Sequence, residues 1–321
     1  MIEYSKLGRS GLKVSRICLG TMNFGWRIKE SDAFTMMDRA RELGINYFDC
    51  ADVYGNGYSE TVIGKWFNQG NGRRESTIVT SKVFMDMNNP DEGPNGSNGL
   101  SAWKIKHHID GTLSRMQTDH LDVYFMHHVD PTVTWDETWG AFEDIIHNGK
   151  VCYIGSSNFG ARHLCYAQAA AEKRHFLGLI TEQCQYNLLH RLPEIELIPA
   201  AQDLGIGIMP WSPLAGGMLS GHYKKGQSRG PVMRDASKPV PVTQLEAYSK
   251  LCRELGETEA DVAIAWLLRN SGVTSIVIGP SSPDHLEQAI KASQIELPDD
   301  FCAELDNIFP GYEAGPEAYA W

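Results

Sequence analysis

The chain has 321 residues, 42% hydrophobic and 10% aromatic, enough for a packed core in two average domains or in one α/β barrel. Its formal net charge of −11 argues against nucleic acid or an anionic membrane as the main partner. No apolar run approaches the roughly 20 residues of a membrane span, and MIEYSKLGRSG lacks an apolar signal segment, so a cytoplasmic protein is expected.

The opening EYSKLGRSGLKVSRI reads as a β-hairpin turning near Gly8–Gly11, able to plug the bottom of a barrel. Strands and helices then alternate. RICLGTM (16–22) precedes a helix over 31–44, in which Ala33, Met36, Met37, Ala40 and Leu43 share one face. Ser31 or Asp32 is the expected N-cap and Gly44 the stop. INYFDCA (45–51) precedes a helix at 59–69, TIVTSKV (77–83) one at 101–115, and LDVYFMH (121–127) one at 135–148. VCYIGSS (151–157) leads to 160–174, LITEQCQ (179–185) to 194–204, and GIGIMPW (205–211) to helices at 244–256 and 258–270. TSIVIGP (274–280) and a helix at 283–293 complete the series.

These β-branched, nearly continuous apolar runs suit parallel strands covered by helices. Eight of them make a closed barrel or a long open sheet. Polar residues spread over many strand C-termini favour the barrel, because an open sheet gathers its site at one switch point. The stretches 85–99 and 221–242 are rich in Gly, Pro and polar residues and read as functional lids or mobile loops. Nothing resembles a linker, so one domain over 1–321 is expected. The seven cysteines (Cys18, Cys50, Cys152, Cys165, Cys184, Cys252, Cys302) are scattered, without a C-x-x-C pair, and read as reduced, buried thiols.

Four residues at or just beyond strand ends carry chemistry together: Asp49, Tyr54, Lys82 and His127. A lysine ending an apolar strand is costly to bury without a carboxylate, and Asp49 is the candidate partner. A tyrosine, with an ordinary pKa of about 10, is a poor acid near neutrality, and a neighbouring ammonium favours its phenolate. A shift of about three units towards pH 7 takes about 4 kcal/mol of differential interaction. His127 and His128 are adjacent, so strand alternation is expected to turn only one of them to the barrel mouth. SSNF (156–159) and EQCQYN (182–187) offer amide and hydroxyl groups at two strand ends. Trp211 offers a flat face that could stack on a planar cofactor or pack in the core. IGPSSPDHLEQ (278–288) brings a Gly/Ser turn to a helix N-terminus, where phosphate is favoured. No G-x-G-x-x-G is present there, which disfavours a two-layer dinucleotide fold.

Several motifs in order resemble the aldo-keto reductase superfamily through nearly the whole chain. D-x-A-x-x-Y-G is met by Asp49, Ala51, Tyr54 and Gly55, T-S-K by Lys82, and Y-x-x-H by Tyr124 and His127, which selects His127 over His128. The opening LG-x-S-G-L, GKV-x-x-IGSSNF, Q-x-x-YNLL and WSPLAGG-x-LSG match as well. The resemblance implies a (β/α)8 TIM barrel with NADPH extended across its C-terminal mouth. It implies Tyr54 as general acid, Lys82 lowering its pKa, Asp49 holding Lys82 and His127 orienting a small-molecule carbonyl substrate. Ser157, Asn158 and Gln183 would bind the nicotinamide amide and Trp211 would stack on its ring, over a floor of Gly20, Thr21 and Met22. Ser212, Pro213, Leu214 and Gly216 would flank the pyrophosphate, and Gly279, Ser281, His285 and Gln288 the adenosine end.

The chain departs from many relatives in having Gly279 and His285 where they carry a cation for the 2′-phosphate. Lys224, Lys225, Arg229 or Arg234 could supply that charge, and NADH remains an alternative. Phe24, Trp26 and Phe84 are candidate pocket walls. Within the superfamily the chain resembles the potassium-channel β-subunit branch and the nucleotide-sugar enoyl reductases. Besides carbonyl reduction, these admit reduction of a conjugated enone or an NADP-binding subunit that reports redox state to a partner. Whether the chain forms a homo-oligomer is left open by these residues.

Overall fold

The computed structural model describes residues 2–221 and 240–319. Eight parallel strands form the barrel: β3 (Ile17–Gly20), β4 (Tyr47–Asp49), β5 (Ile78–Val83), β6 (Leu121–Met126), β7 (Val151–Ser157), β8 (Leu179–Gln185), β9 (Gly207–Trp211) and β10 (Ile276–Ile278). From β3 to β9 each pairs with the next, and β10 pairs with β3. The ring closes through the Ile208–Val273 bridge, where Ile208 N donates to Gly272 O and Thr274 N to Ile208 O. The α/β barrel, favoured over an open sheet by the polar strand ends, is the fold.

Between and after the strands lie α1 (Glu30–Glu42), α2 (Tyr58–Phe67), α3 (Ala102–Met116), α4 (Trp135–His147), α5 (Ala161–Lys173), α6 (Leu197–Asp203), α7 (Val242–Leu255), α8 (Glu259–Arg269), α9 (Asp284–Ala292) and α10 (Asp299–Ile308). The first helix is capped by Lys29, not by Ser31 or Asp32, which sit inside its first turn. There Asp32, with Glu30, faces the positive end of the helix dipole. The helix α10 lies beyond the elements expected from the sequence, although Pro298 and the spacing of Phe301, Cys302 and Leu305 mark one.

Two hydrophobic layers result. A small inner core of Leu7, Val14, Cys18, Tyr47, Val123, Phe125, Ile180, Met209 and Val277 fills the lower barrel, and a larger core lies between strands and helices. The hairpin of β1 (Tyr4–Lys6) and β2 (Lys13–Ser15) supplies Leu7 and Val14 to the inner core and plugs the bottom as expected. Its turn touches the barrel backbone at Gly8, which has φ +55°, and a Cβ there would lie 2.1 Å from Ile180 O and 2.7 Å from Gly205 O. Gly8→Ala is therefore expected to cost at least about 2 kcal/mol through crowding and left-handed strain. An unchanged urea midpoint would contradict this plug.

Between β7 and β8 the register slips: Ile154 pairs with Leu179, but Gly155 pairs with Thr181. The adjacent Ile180 and Thr181 both face inward, Ile180 in the inner core and Thr181 against the position of Gly155 beside Phe125. This bulge resets the alternation above it, turning Gln183 into the barrel and Glu182 outward.

The segment 85–99 is not structureless. It contains a 3-10 turn, Pro90–Gly96, and the buried Lys104 of α3 donates to the carbonyls of Met85, Gly96 and Ser97. The other expected lid, 221–242, falls largely on 222–239, outside the described residues, as do Lys224, Lys225, Arg229 and Arg234. The cysteines are unpaired as expected, but Cys152 and Cys165 are exposed rather than buried. Cys152 sits near the start of β7 where its side chain is uncovered, and Cys165 lies on the outer face of α5.

Candidate active site

The inward positions at the top of β4, β5 and β8 meet in a nearly dry cluster. Lys82 Nζ, fully buried, donates to Asp49 Oδ2 at 2.8 Å, to Cys50 O at 2.8 Å and to Tyr54 Oη at 3.1 Å. Its three N–H donors are thus all used. Asp49, 2% exposed, accepts on its other oxygen from Gln183 Nε2 at 2.8 Å and Thr80 Oγ1 at 3.3 Å. The strands bring these groups together because Asp49, Thr80, Lys82 and Gln183 all point into the barrel. Burial alone would disfavour the Lys82 ammonium, but Asp49 and Tyr54 outweigh it and raise its pKa.

Tyr54 reaches the cluster from the turn after β4, its ring 4.8 Å from Lys82 Nζ. The expectation that Lys82 brings its pKa towards neutrality is not met: burial dominates over Lys82 and pushes it up to about 12. The phenol therefore stays protonated at neutral pH. It remains acidic enough to protonate an alkoxide, a base of about the strength of hydroxide, since water has a pKa of about 15.7.

His127 follows β6, its ring 6.1 Å from that of Tyr54 and nearly perpendicular to it. Burial, then Lys82 and His128, hold its pKa well below the ordinary value, so the ring is neutral. Among the described residues its buried Nδ1 has no hydrogen-bond partner. The two histidines do not point apart as alternation suggested. Their rings stack at 5.8 Å and 20°, because β6 ends at Met126 and the pleat no longer applies. His128 in turn packs on Phe84 at 5.4 Å, extending an aromatic wall from Tyr54.

At the end of β7, Ser157 Oγ donates to Gln183 O and Asn158 adopts a left-handed φ of +61°. Asn158 Nδ2 donates to His127 O and to Ser157 Oγ, both at 3.0 Å. Both of its amide hydrogens are then committed, as is one of those on Gln183. Among the described residues no group donates to Asn158 Oδ1 or Gln183 Oε1, which suits them to the NH2 of a carboxamide. Behind them the buried Glu182 accepts from Ser156 Oγ at 2.5 Å and Phe159 N at 2.9 Å. Burial pushes its pKa up to about 8, against these donors, so it is mostly neutral at pH 7 and clamps the strand end. The lone glutamate in the apolar run LITEQCQ was the available signal for it.

Trp211 is half-buried at the tip of β9, next to Ser212, whose φ is +54° and whose carbonyl accepts from Asn187 Nδ2. Pro213, Leu214 and Gly216 (φ +67°) continue this turn. Gly20 lies where a Cβ would be 3.0 Å from Ile278 O, and Met22 is 43% exposed on the rim. Thr21 is fully buried, its hydroxyl donating to Asp49 O, so its side chain braces β4 instead of lining the mouth. Gly279 and Ser281 are exposed at the start of α9, with Ser281 N 3.3 Å from His285 Nδ1 and Gln288 Nε2 3.3 Å from Thr258 Oγ1. The cations described beside them, Arg39 and Lys291, pair with Glu287 and Glu257. Phe24 is fully buried core, whereas Trp26 is 65% exposed under Arg27.

The model of the aldo/keto reductase family matches residues 16–309. An uncharacterized oxidoreductase of Bacillus subtilis (strain 168), YrpG, is 50% identical over 329 aligned positions that cover all of both chains. A probable voltage-gated potassium channel subunit beta of Oryza sativa subsp. japonica is 31% identical over 92% of each chain. A putative one of Schizosaccharomyces pombe is 32% identical over 96% of this chain and 93% of its own.

Proposed function

The chain belongs to the aldo/keto reductase family of oxidoreductases, and from that premise we propose that it reduces an aldehyde or ketone to the alcohol with NADPH. The observation that carries this reading is Lys82, held at once by Asp49, Cys50 O and Tyr54 Oη at the barrel mouth. Bound NADPH would supply hydride to the carbonyl carbon. The residues of this chain do the rest. His127, neutral and with its proton on Nε2, fixes the carbonyl oxygen beside Tyr54 Oη. As charge develops on that oxygen, Tyr54 passes it a proton, and the Lys82 ammonium stabilises the phenolate left behind. Solvent then reprotonates Tyr54. Asn158 Oδ1 and Gln183 Oε1 would accept from the carboxamide of the coenzyme, and Trp211 would bound its ring.

The same acid serves reduction of a conjugated enone, with the hydride at the β-carbon. A second reading, an NADP-binding subunit that reports redox state to a partner, draws on relatives described as potassium channel β-subunits. NADPH and NADH fluorescence titrations, followed by nicotinamide absorbance with aldehydes, ketones and enones, separate these. Saturable NADPH binding with turnover of an aldehyde or ketone is expected. Turnover of enones alone would move the assignment to that chemistry, and tight binding with no turnover would favour the reporting subunit.

A further inference from the structure

We propose that Gln183 is a positioning residue for the acid, joining the nicotinamide seat to Tyr54 through Asp49 and Lys82. The inference rests on the reductase reading of the site and deepens it. The path is short and dry. Gln183 Nε2 donates to Asp49 Oδ1 at 2.8 Å, Asp49 Oδ2 accepts from Lys82 Nζ at 2.8 Å, and Lys82 Nζ donates to Tyr54 Oη at 3.1 Å. Along it, exposure is 3% at Gln183, 2% at Asp49 and none at Lys82.

The bulge in β8 is what aims Gln183 there. Without the extra residue at Ile180–Thr181, alternation would turn Glu182 into the barrel and Gln183 out of it. A carboxylate would then face Asp49 in place of an amide donor.

A buried carboxylate is stabilised by the donors it accepts from, and hydrogen bonds to charged groups are the stronger kind. Gln183 and Thr80 share Oδ1, and they spread charge that would otherwise bear more heavily on Lys82. With Gln183 removed, Asp49 neutralises more of the ammonium, and Tyr54 gives up its proton less readily. One Gln183 N–H is fixed on Asp49 while Oε1 remains for the coenzyme, so a single side chain meets both.

The other titratable groups facing this path do not confuse its pH dependence. Cys18 of β3, Tyr47 of β4 and Cys50 after β4 are driven up by burial, Cys50 to about 12, and His127 beyond β6 is held low by burial. All four are neutral around pH 7, leaving Lys82 and Tyr54 as the members whose ionisation the measurement follows.

The test uses Gln183→Met and Thr80→Val, the latter nearly isosteric and given no coenzyme contact above. Tyr54 is followed in ζ-13C-tyrosine-labelled protein with NADP+ bound, its resonance identified by Tyr54→Phe, and NADPH affinity is measured by fluorescence. Gln183→Met is expected to raise the pH at which Tyr54 titrates by about half to one unit, together with the alkaline limb of carbonyl reduction. Thr80→Val, losing the longer bond, is expected to shift both in the same direction by less, with wild-type NADPH affinity. Weaker NADPH binding in Gln183→Met with Tyr54 unmoved would overturn the proposal while sparing the reductase reading. If Gln183→Met does not fold, an unmoved Tyr54 in Thr80→Val overturns it alone. No NADP+ binding by the wild type would remove the reading and the inference together.

Discussion

Tyr54→Phe is expected to lower kcat for carbonyl reduction by about a hundred- to ten-thousandfold while NADPH affinity stays near wild type. The substitution removes one oxygen and nothing else of the ring, whose edge packs against His127 and whose face lies over Lys82. Lys82 keeps Asp49 and Cys50 O as partners, so the cluster does not collapse. What is lost is the proposed proton donor, and among the described residues no other acidic hydrogen lies in its place. Cys50 Sγ is turned to Ser59 and is held near pKa 12 by burial. Steady-state kinetics beside a fluorescence titration check both halves of the expectation. Wild-type turnover in this variant would show that the acid is elsewhere.

Lys82→Met is expected to damage stability as well as activity. Asp49 would be left without its cation in a site that is 2% exposed, with only Gln183 and Thr80 to meet it. Removing one partner of a buried pair costs about 3–5 kcal/mol, because the charge left behind is uncompensated. Carbonyl reduction should fall at least as far as in Tyr54→Phe, since the phenolate also loses its counter-charge. Adding Asp49→Asn separates the two effects. The double variant should regain much of the urea-unfolding free energy lost by Lys82→Met, the coupling expected of contacting residues, yet recover no activity. If Lys82→Met alone unfolds at the wild-type midpoint, the pair carries no such coupling.

The barrel was legible in the sequence because every strand is an apolar run ending in polar residues, and the helices keep a periodic face. The pairing of Asp49 with Lys82 was legible for a related reason. A lysine inside TIVTSKV needs a carboxylate, and INYFDCA ends with one. What could not be read was geometry set by local irregularity. The slip that turns Gln183 inward depends on Ile180 and Thr181 both facing the barrel, and neither residue type announces a bulge. The stacking of His127 on His128 follows from β6 stopping at Met126, and strand ends are poorly marked by composition. The direction of the Tyr54 shift was also hidden. Lys82 does lower it, as its presence suggests, but burial is the larger effect, and burial belongs to the folded packing. Nothing in the residues around Lys104 signals that it donates to three loop carbonyls and holds the segment that follows Phe84.

The most direct measurement is the fate of deuterium from NADPH labelled at the transferable C4 position, read by mass spectrometry of the alcohol formed from an aldehyde in the panel. One deuterium on the carbinol carbon is the predicted result, at a rate that collapses in Tyr54→Phe. Alcohol carrying no label, or label appearing equally fast without the tyrosine hydroxyl, would contradict transfer at this site.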